Sequence, residues 1–271
     1  MARDIRLILT DIDGTILPYG ERVVSEHMRG AMHDAIDAGI HIGPASGRGY
    51  SHIPNSFAGD TELTATCLAA NGMQVYLDGK LIADHPLPYQ GVEHVTELVR
   101  GIDDAGVLIF ERGVPYIICG NLEDLAESFP TYAETARRLD SVPKRPIKKA
   151  NVFVGGDMDR TQVVYQYLKE RVDEVDLNVP MEGFLNLTPV GWNKASGIDV
   201  LAKALGIGLD QVAVFGDGGN DVEMLEHVPN SAAVADATPE AIAAATYTIG
   251  RCEDDAVADV IYQIIEGSWP R

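Results

Sequence analysis

The chain has 271 residues, 46% of them hydrophobic and 23% charged, which is a globular composition with room for one large domain or two modest ones. Its 21 Lys and Arg against 41 Asp and Glu give a formal charge of −20. Such a surface repels a phosphate backbone and argues against nucleic-acid or anionic-membrane partners. Cys67, Cys119 and Cys252 are scattered without CxxC spacing, so neither a disulfide framework nor a zinc site is expected, and a reducing cytoplasm fits.

At the start of the chain Arg3 and Arg6 precede only a short apolar run, which Asp11 and Asp13 interrupt, so no signal-peptide core forms there. No eighteen-residue apolar run follows elsewhere, and no membrane span is expected. Residues 5–9 read as a strand buried on both faces of a parallel sheet, a pattern that a buried helical turn would share. Residues 25–38 carry Met28, Met32, Ala35 and Ile36 at helical spacing and stop at Gly39. Residues 40–45 and 66–70 read as two further strands. Residues 73–77 and 80–83 flank Asp78-Gly79, the sequence signal of a hairpin.

Between about 87 and 184 the rhythm changes, with helix-like 92–102 and 159–171 set among strand-like 106–110 and 151–155. Strand–helix alternation then resumes. Ile198, Leu201 and Leu205 mark a helix closing at Gly206, 211–215 and 231–235 read as strands, and 220–227 as a helix. Val257, Val260, Ile261, Ile264 and Ile265 form the stripe of an amphipathic C-terminal helix. The pattern predicts an α/β fold: a doubly wound parallel-sheet (Rossmann-like) core, residues 1–85 and 186–271, with an inserted α+β cap domain at 86–185.

In open α/β sheets ligands bind outside the carboxyl ends of the strands. Asp11, Asp13, Ser46, Asn71 and Asp217 all follow predicted strand ends, so residues distant in sequence are expected to meet in one crevice. Asp11 and Asp13, two apart on extended backbone, point to one side. A hard cation relieves their repulsion, and Mg²⁺ prefers oxygen ligands while leaving positions for phosphate oxygens. A solvated Asp-Gly turn would look the same without the apolar strand in front of it. Gly216-Asp217-Gly218-Gly219-Asn220-Asp221 adds a second acidic cluster where a strand passes into a helix, whose amides favour anions. Its opening GxG also suits a dinucleotide loop, but Asp221 stands where a third glycine belongs. Lys194, at a helix start, could meet a phosphate as a point charge or be a solvated surface residue. Ser46, followed by Gly47 and Arg48, offers a hydroxyl and an amide or serves as an N-cap. The seven histidines show no ligand spacing.

These segments, in this order, resemble the haloacid dehalogenase superfamily of aspartate-nucleophile phosphatases. The resemblance covers about 3–85 and 185–265 and rests on Asp11-x-Asp13-Gly14-Thr15, Ser46-Gly47-Arg48, Lys194 and the 216–221 loop. It implies that Asp11 is the nucleophile and Asp13 the general acid/base. Ser46 and Lys194 would hold the transferring phosphoryl group, with Gly47, Arg48, Asn71 and Asn220 toward the substrate. It further implies a Mg²⁺ site drawn from Asp11, Asp13 (through its backbone carbonyl), Asp217 and Asp221.

Ser46 lies 35 positions after Asp11, and Lys194 a further 148 on. The insertion therefore follows the second motif, the cap position of the Cof-like sugar-phosphate phosphatases. Asn71-Gly72 and Gly191-Trp192-Asn193-Lys194 are also similar to that group, whereas Asn186 stands where many relatives carry an acid.

The expected function is Mg²⁺-dependent hydrolysis of small phosphomonoesters through an aspartyl phosphate. A phosphomutase with the same nucleophile and a non-hydrolytic phosphoacceptor are the rivals. A receiver domain would be about half this length and lack the insertion, and an ion-pumping ATPase would carry Thr at position 13 and need membrane spans. The basic stretch 137–149 (Arg137, Arg138, Lys144, Arg145, Lys148, Lys149) reads as a solvated face or as a recruiter of anionic substrate. Oligomeric state has no signature in the sequence.

Overall fold

The computed structural model describes residues 4–269; Arg3, part of the leader reading, lies outside them. The chain divides into two compact units, Met1–Asp84 with Asn193–Arg271, and His85–Trp192. It opens the first unit with β1 (Leu7–Thr10), α1 (Glu26–Asp37) and β2 (His41–Pro44), then β3 (Cys67–Ala69), β4 (Gln74–Leu77) and β5 (Lys80–Asp84). The second unit runs α2 (Tyr89–Val99), β6 (Ala105–Glu111), β7 (Val114–Cys119), α3 (Leu122–Ser128), α4 (Pro130–Ala133) and β8 (Arg137–Arg138). It continues through β9 (Ala150–Val154), α5 (Met158–Lys169), β10 (Val175–Met181) and β11 (Phe184–Pro189). The chain then returns to the first unit with α6 (Lys194–Leu205), β12 (Val212–Gly216), α7 (Val222–His227), β13 (Asn230–Ala233), α8 (Pro239–Ala244), β14 (Tyr247–Thr248) and α9 (Ala256–Ile265).

The first unit is built on a five-stranded sheet in the order β14-β13-β12-β1-β2, parallel throughout. Both faces are covered, which is why its strands are continuous apolar runs rather than alternating ones. Ile8, Ala213 and Phe215 pack on one side with Met28 and Met32 of α1 and Ile261 and Ile264 of α9. Leu7, Leu9, Val212 and Val214 pack on the other with Ile198 and Leu201 of α6 and Met224 and Leu225 of α7. Each fully buried Leu or Ile contributes roughly 1.5–3 kcal/mol, so the two layers together carry this unit. Ser25 caps α1 by accepting from the Met28 amide, and α6 closes on Gly206 in the left-handed region.

The chain runs outward from β1 to β2 and later resumes on β1's other side at β12. That reversal places the topological switch point between the carboxyl ends of β1 and β12, where open α/β sheets bind ligands. The 73–83 hairpin forms as expected, with Asp78 and Gly79 both at positive φ. Together with β3 it makes a separate three-stranded antiparallel sheet, tied to the end of β2 through an Ala45–Leu68 bridge.

The second unit is a six-stranded sheet, β10-β11-β9-β6-β7-β8, antiparallel except for the β7–β8 pair. Leu108, Phe110, Ile117, Phe153 and Phe184 pack with Leu125 of α3 and with Phe129 and Tyr132 at α4. The unit ends at Trp192 rather than near 185 because β11 runs on to Pro189. Among the described residues no helix is long and apolar enough to cross a membrane. All three cysteines are buried free thiols.

Gly43 lets β2 lie against the chain leading into β3: a Cβ there would sit 1.8 Å from the Thr66 carbonyl oxygen. Gly43→Ala is therefore expected to lose about 2–3 kcal/mol, read as a lowered urea midpoint. Gly49→Ala, where a Cβ meets nothing within 4 Å, should stay within about 0.5 kcal/mol.

Candidate active site

Asp11 follows β1 directly, and its amide donates to the Phe215 carbonyl of β12, 2.9 Å. Its carboxylate is thereby delivered to the switch point. Lys194 is the first residue of α6, behind an Asn193 N-cap. The structure removes the surface-lysine alternative, because Lys194 is fully buried. Its ammonium donates to Asp11 Oδ1 at 2.5 Å and to Asp221 Oδ1 at 2.6 Å. The other Asp221 oxygen accepts the amides of Asp217 and Gly218, each at 3.0 Å. Those loop amides, expected to face an anionic ligand, are thus occupied by the chain's own carboxylate. Gly216 admits this arrangement, since a Cβ there would meet the Asp221 side chain at 2.6 Å.

Asp217 completes the group, accepting from the Thr15 hydroxyl at 2.8 Å on one oxygen and from the Tyr19 hydroxyl at 3.2 Å on the other. Neither Thr15 nor Tyr19 was singled out from the sequence for this role. Thr15 follows Asp13 at the same-side spacing of two, a signal that could have been used. Tyr19 had none, because it reaches Asp217 across 198 positions.

One carboxylate oxygen from each of Asp11, Asp217 and Asp221 lies within 4.8 Å of the others. The Asp13 side chain does not join them. Both its oxygens accept from Arg48, at 2.9 Å and 2.5 Å, and Arg48 donates further to the Ser56 hydroxyl at 2.6 Å.

Ser46 is brought in by the end of β2, its amide bonded to the Leu68 carbonyl. Its carbonyl accepts the Asn71 amide at 2.9 Å, while Arg48's carbonyl accepts the Ala70 amide at 2.8 Å. Ala70 and Asn71 both lie at positive φ, 50° and 57°. Such backbone costs on the order of 1 kcal/mol or more per non-glycine residue, and these two bonds hold it. The result presents Asn71, whose Oδ1 accepts from Asn220 at 3.2 Å. Gly47 faces the same amide, with a Cβ placed 3.2 Å from Asn71 Oδ1.

The electrostatics follow from burial. Desolvation would push the Lys194 ammonium down, but the Asp11 and Asp221 carboxylates beside it reverse this and raise it above its ordinary value. Burial pushes Asp11 well above the usual carboxylate range, with Lys194 opposing and the neighbouring carboxylates adding to the rise. Burial and then Asp221 raise Asp217 to about 7, against the hydrogen bonds from Thr15 and Tyr19. Three buried carboxylates thus face one ammonium, an excess of negative charge that a cation would relieve. The all-oxygen donor set fits a hard divalent ion such as Mg²⁺.

The basic stretch 137–149 does not form one face. Arg137, Arg138, Lys144, Arg145 and Lys148 are exposed, whereas Lys149 is buried. Arg145 pairs with Glu111, and Arg138 donates to the Gly120 carbonyl.

The model of the haloacid dehalogenase-like hydrolase family matches residues 8–261. Over 271 residues the chain is 29% identical to the 5-amino-6-(5-phospho-D-ribitylamino)uracil phosphatase YbjI of Escherichia coli K12, covering 98% of each. It is 28% identical over 262 residues to the HMP-PP phosphatase of Escherichia coli strain 55989, covering 93% of each. Among solved structures it resembles SMU.1108c from Streptococcus mutans UA159 with a TM-score of 0.86 and 19% identity, over 97% of this chain and 99% of that one.

Because the folded Asp217 carboxyl sits near 7 against an ordinary 3.8, the metal-free native state binds more protons than the unfolded chain between those values. The stability this group confers is full below about 3.8 and is lost as pH rises through about 7. Thermal melts without metal should therefore fall across that window, and the gain on adding Mg²⁺ should grow with pH. Lys194→Met removes the cation buried among these carboxylates and should cost about 3–5 kcal/mol, more at pH 8 than at pH 5, measured by denaturant titration.

Proposed function

The chain belongs to the haloacid dehalogenase-like hydrolase family, as a phosphatase of its Cof-like branch, and from that premise we propose a Mg²⁺-dependent hydrolase of small phosphomonoesters, sugar phosphates or similar metabolites. The observation that carries the reading is the Lys194 ammonium held between Asp11 and Asp221, with Asp217 alongside, at the β1/β12 switch point. In this reading the first unit is the catalytic core and the second the cap. The relatives' printed activities, on a phosphorylated ribitylamino-uracil and on HMP-PP, agree with small phosphorylated metabolites as the substrate class. Three free, buried thiols agree with a cytoplasmic setting.

Phosphate-monoester hydrolysis is among the slowest uncatalysed reactions, with enzymatic accelerations up to ~10²¹, so positioning and charge neutralisation must supply most of the effect. Lys194 fixes one Asp11 oxygen and leaves the other for phosphorus. Asp11 attacks in line: its oxygen–phosphorus bond forms as the ester oxygen–phosphorus bond breaks, and Asp13, released by Arg48 and protonated from solvent, gives that proton to the departing alkoxide. Asp13 then takes a proton from water as the water oxygen attacks phosphorus, and the aspartyl bond breaks to release phosphate and restore Asp11. Ser46 and Lys194 donate to the phosphoryl oxygens, and Asn71 and Asn220 line the approach. Arg48, which holds Asp13 in the resting chain, has to yield that carboxylate before proton transfer and is then free to meet the ester's charge. Asp11, the Asp13 carbonyl and Asp217 would hold Mg²⁺, with Asp221 supporting; when bound it neutralises charge on the transferring group.

Asp11→Asn should abolish phosphate release from a panel of sugar, nucleotide and small-acid monophosphates, and EDTA should do the same until Mg²⁺ is returned. Asp13→Asn should lower kcat by about 10²–10⁴-fold. Release by Asp11→Asn at the wild-type rate would sink the scheme.

A further inference from the structure

Tyr19 is turned the opposite way from most tyrosines at a protein surface. The ring ordinarily packs inward and the hydroxyl reaches water. Here the residue is 65% exposed, yet its hydroxyl turns inward and donates to Asp217 Oδ2 at 3.2 Å. Burial of the ring gives little reason for this placement, whereas the hydroxyl's bond gives one. The local chain prepares it. The Gly14 amide donates to the Leu17 carbonyl and the Leu17 amide to that of Ile12, closing a compact loop after β1. A β-turn follows, its Glu21 amide donating to the Pro18 carbonyl at 3.1 Å with Gly20 at φ 95°. A type II turn requires glycine at that third position, and Tyr19 occupies the second.

Asp217 is held at its backbone and at both ends of its carboxylate. Its amide donates to Asp221 Oδ2, and its carbonyl accepts from the Thr238 amide at 2.8 Å. Its side chain takes Thr15 on Oδ1 and Tyr19 on Oδ2. A Cβ on Gly14 would collide with that second oxygen, so a bare backbone at position 14 is what admits the carboxylate. Donors on opposite oxygens fix the carboxylate plane. Each oxygen has two lone pairs, so each keeps one open after both hydroxyls have bonded. All of these groups belong to the first unit.

We propose that Tyr19 is a positioning residue of the metal site: its hydroxyl fixes the Asp217 carboxylate in the orientation that a divalent cation needs. One oxygen from each of Asp11, Asp217 and Asp221 already lies within 4.8 Å of the others, and the proposal rests on the Mg²⁺ reading of that group. Thr15 alone would leave the carboxylate free to swing about Oδ1, and taking up a cation would then cost the ordering of that side chain. Partners that orient a metal ligand in this way are typically worth roughly 10–100-fold in metal affinity. The hydroxyl, and not the ring, carries the effect.

Calorimetric titration of the metal-free protein with MgCl₂ tests this without reference to turnover. Tyr19→Phe keeps the ring and removes only the hydroxyl, and it should raise the Mg²⁺ Kd by roughly tenfold or more. Tyr19→Leu, which removes both, should weaken binding by about the same factor. An unchanged Kd in Tyr19→Phe overturns the proposal. So does a tighter one, which would mean that the hydroxyl competes with the cation. A lowered melting temperature in the metal-free variant, with Mg²⁺ affinity intact, would make Tyr19 a merely structural residue and overturns it equally. A wild-type chain that binds no Mg²⁺ fails the metal reading itself, and the proposal falls with it. Wild-type binding matched by Tyr19→Phe leaves that reading standing and removes the proposal alone.

Discussion

The first unit's chemistry depends on one ammonium. Lys194, fully buried, joins the first residue after β1 to the loop after β12 through Asp11 and Asp221. An unpaired charge at that depth would cost several kcal/mol, so the pairing obliges three segments far apart in sequence to meet at one point. Everything nearby serves that contact. Asn193 caps α6 so that its first side chain enters the site. Gly216 makes room for Asp221, and the amides of Asp217 and Gly218 hold its second oxygen.

The sheet explains why such a meeting point exists. β1 and β12 are neighbours although some two hundred residues separate them, and the chain leaves them in opposite directions. Connections diverge there, so a crevice opens at the strand ends, and loops can place polar side chains in it without interrupting the apolar layers on either face. The layers and the site are thus made from the same strands. Leu7 to Leu9 bury themselves on alternate sides, and Asp11, two residues later, brings the first carboxylate to the site.

That division also explains what was legible in the sequence. Short apolar runs ending in Asp, Ser or Asn revealed β1, β2, β3 and β12 together with the residues they deliver, because parallel strands buried on both faces have an unmistakable composition. The second unit hid more. β7 contains Pro115, and β10 reads Val-Asp-Leu-Asn-Val-Pro-Met with Leu177, Asn178, Val179 and Pro180 half-buried together. β11 carries Asn186 and Thr188 among Leu185 and Leu187, and all four are buried. A polar residue inside breaks the pattern by which strands are read, so β7, β10 and β11 were missed along with α3, α4 and the short α8 and β14. Partnerships were harder still. Motif spacing located Asp13 and Arg48, but nothing in the sequence said that they would be bonded to each other, or that Tyr19 would reach Asp217.

Charge within the site resolves how so acidic a chain would handle an anionic ester. Asp11, Asp13, Asp217 and Asp221 supply four carboxylates, and Lys194 and Arg48 supply two cations, each already engaged with one or more of those carboxylates. Neither cation is therefore available to a phosphate dianion at rest, and the surrounding −20 body would repel it. With all four carboxylates ionised, two charges stay uncompensated, as many as one divalent ion carries. With that ion in place Asp11, Asp217 and Asp221 would have a partner of their own. In the proposed reading its charge would offset theirs and leave part of the Lys194 field for the ester.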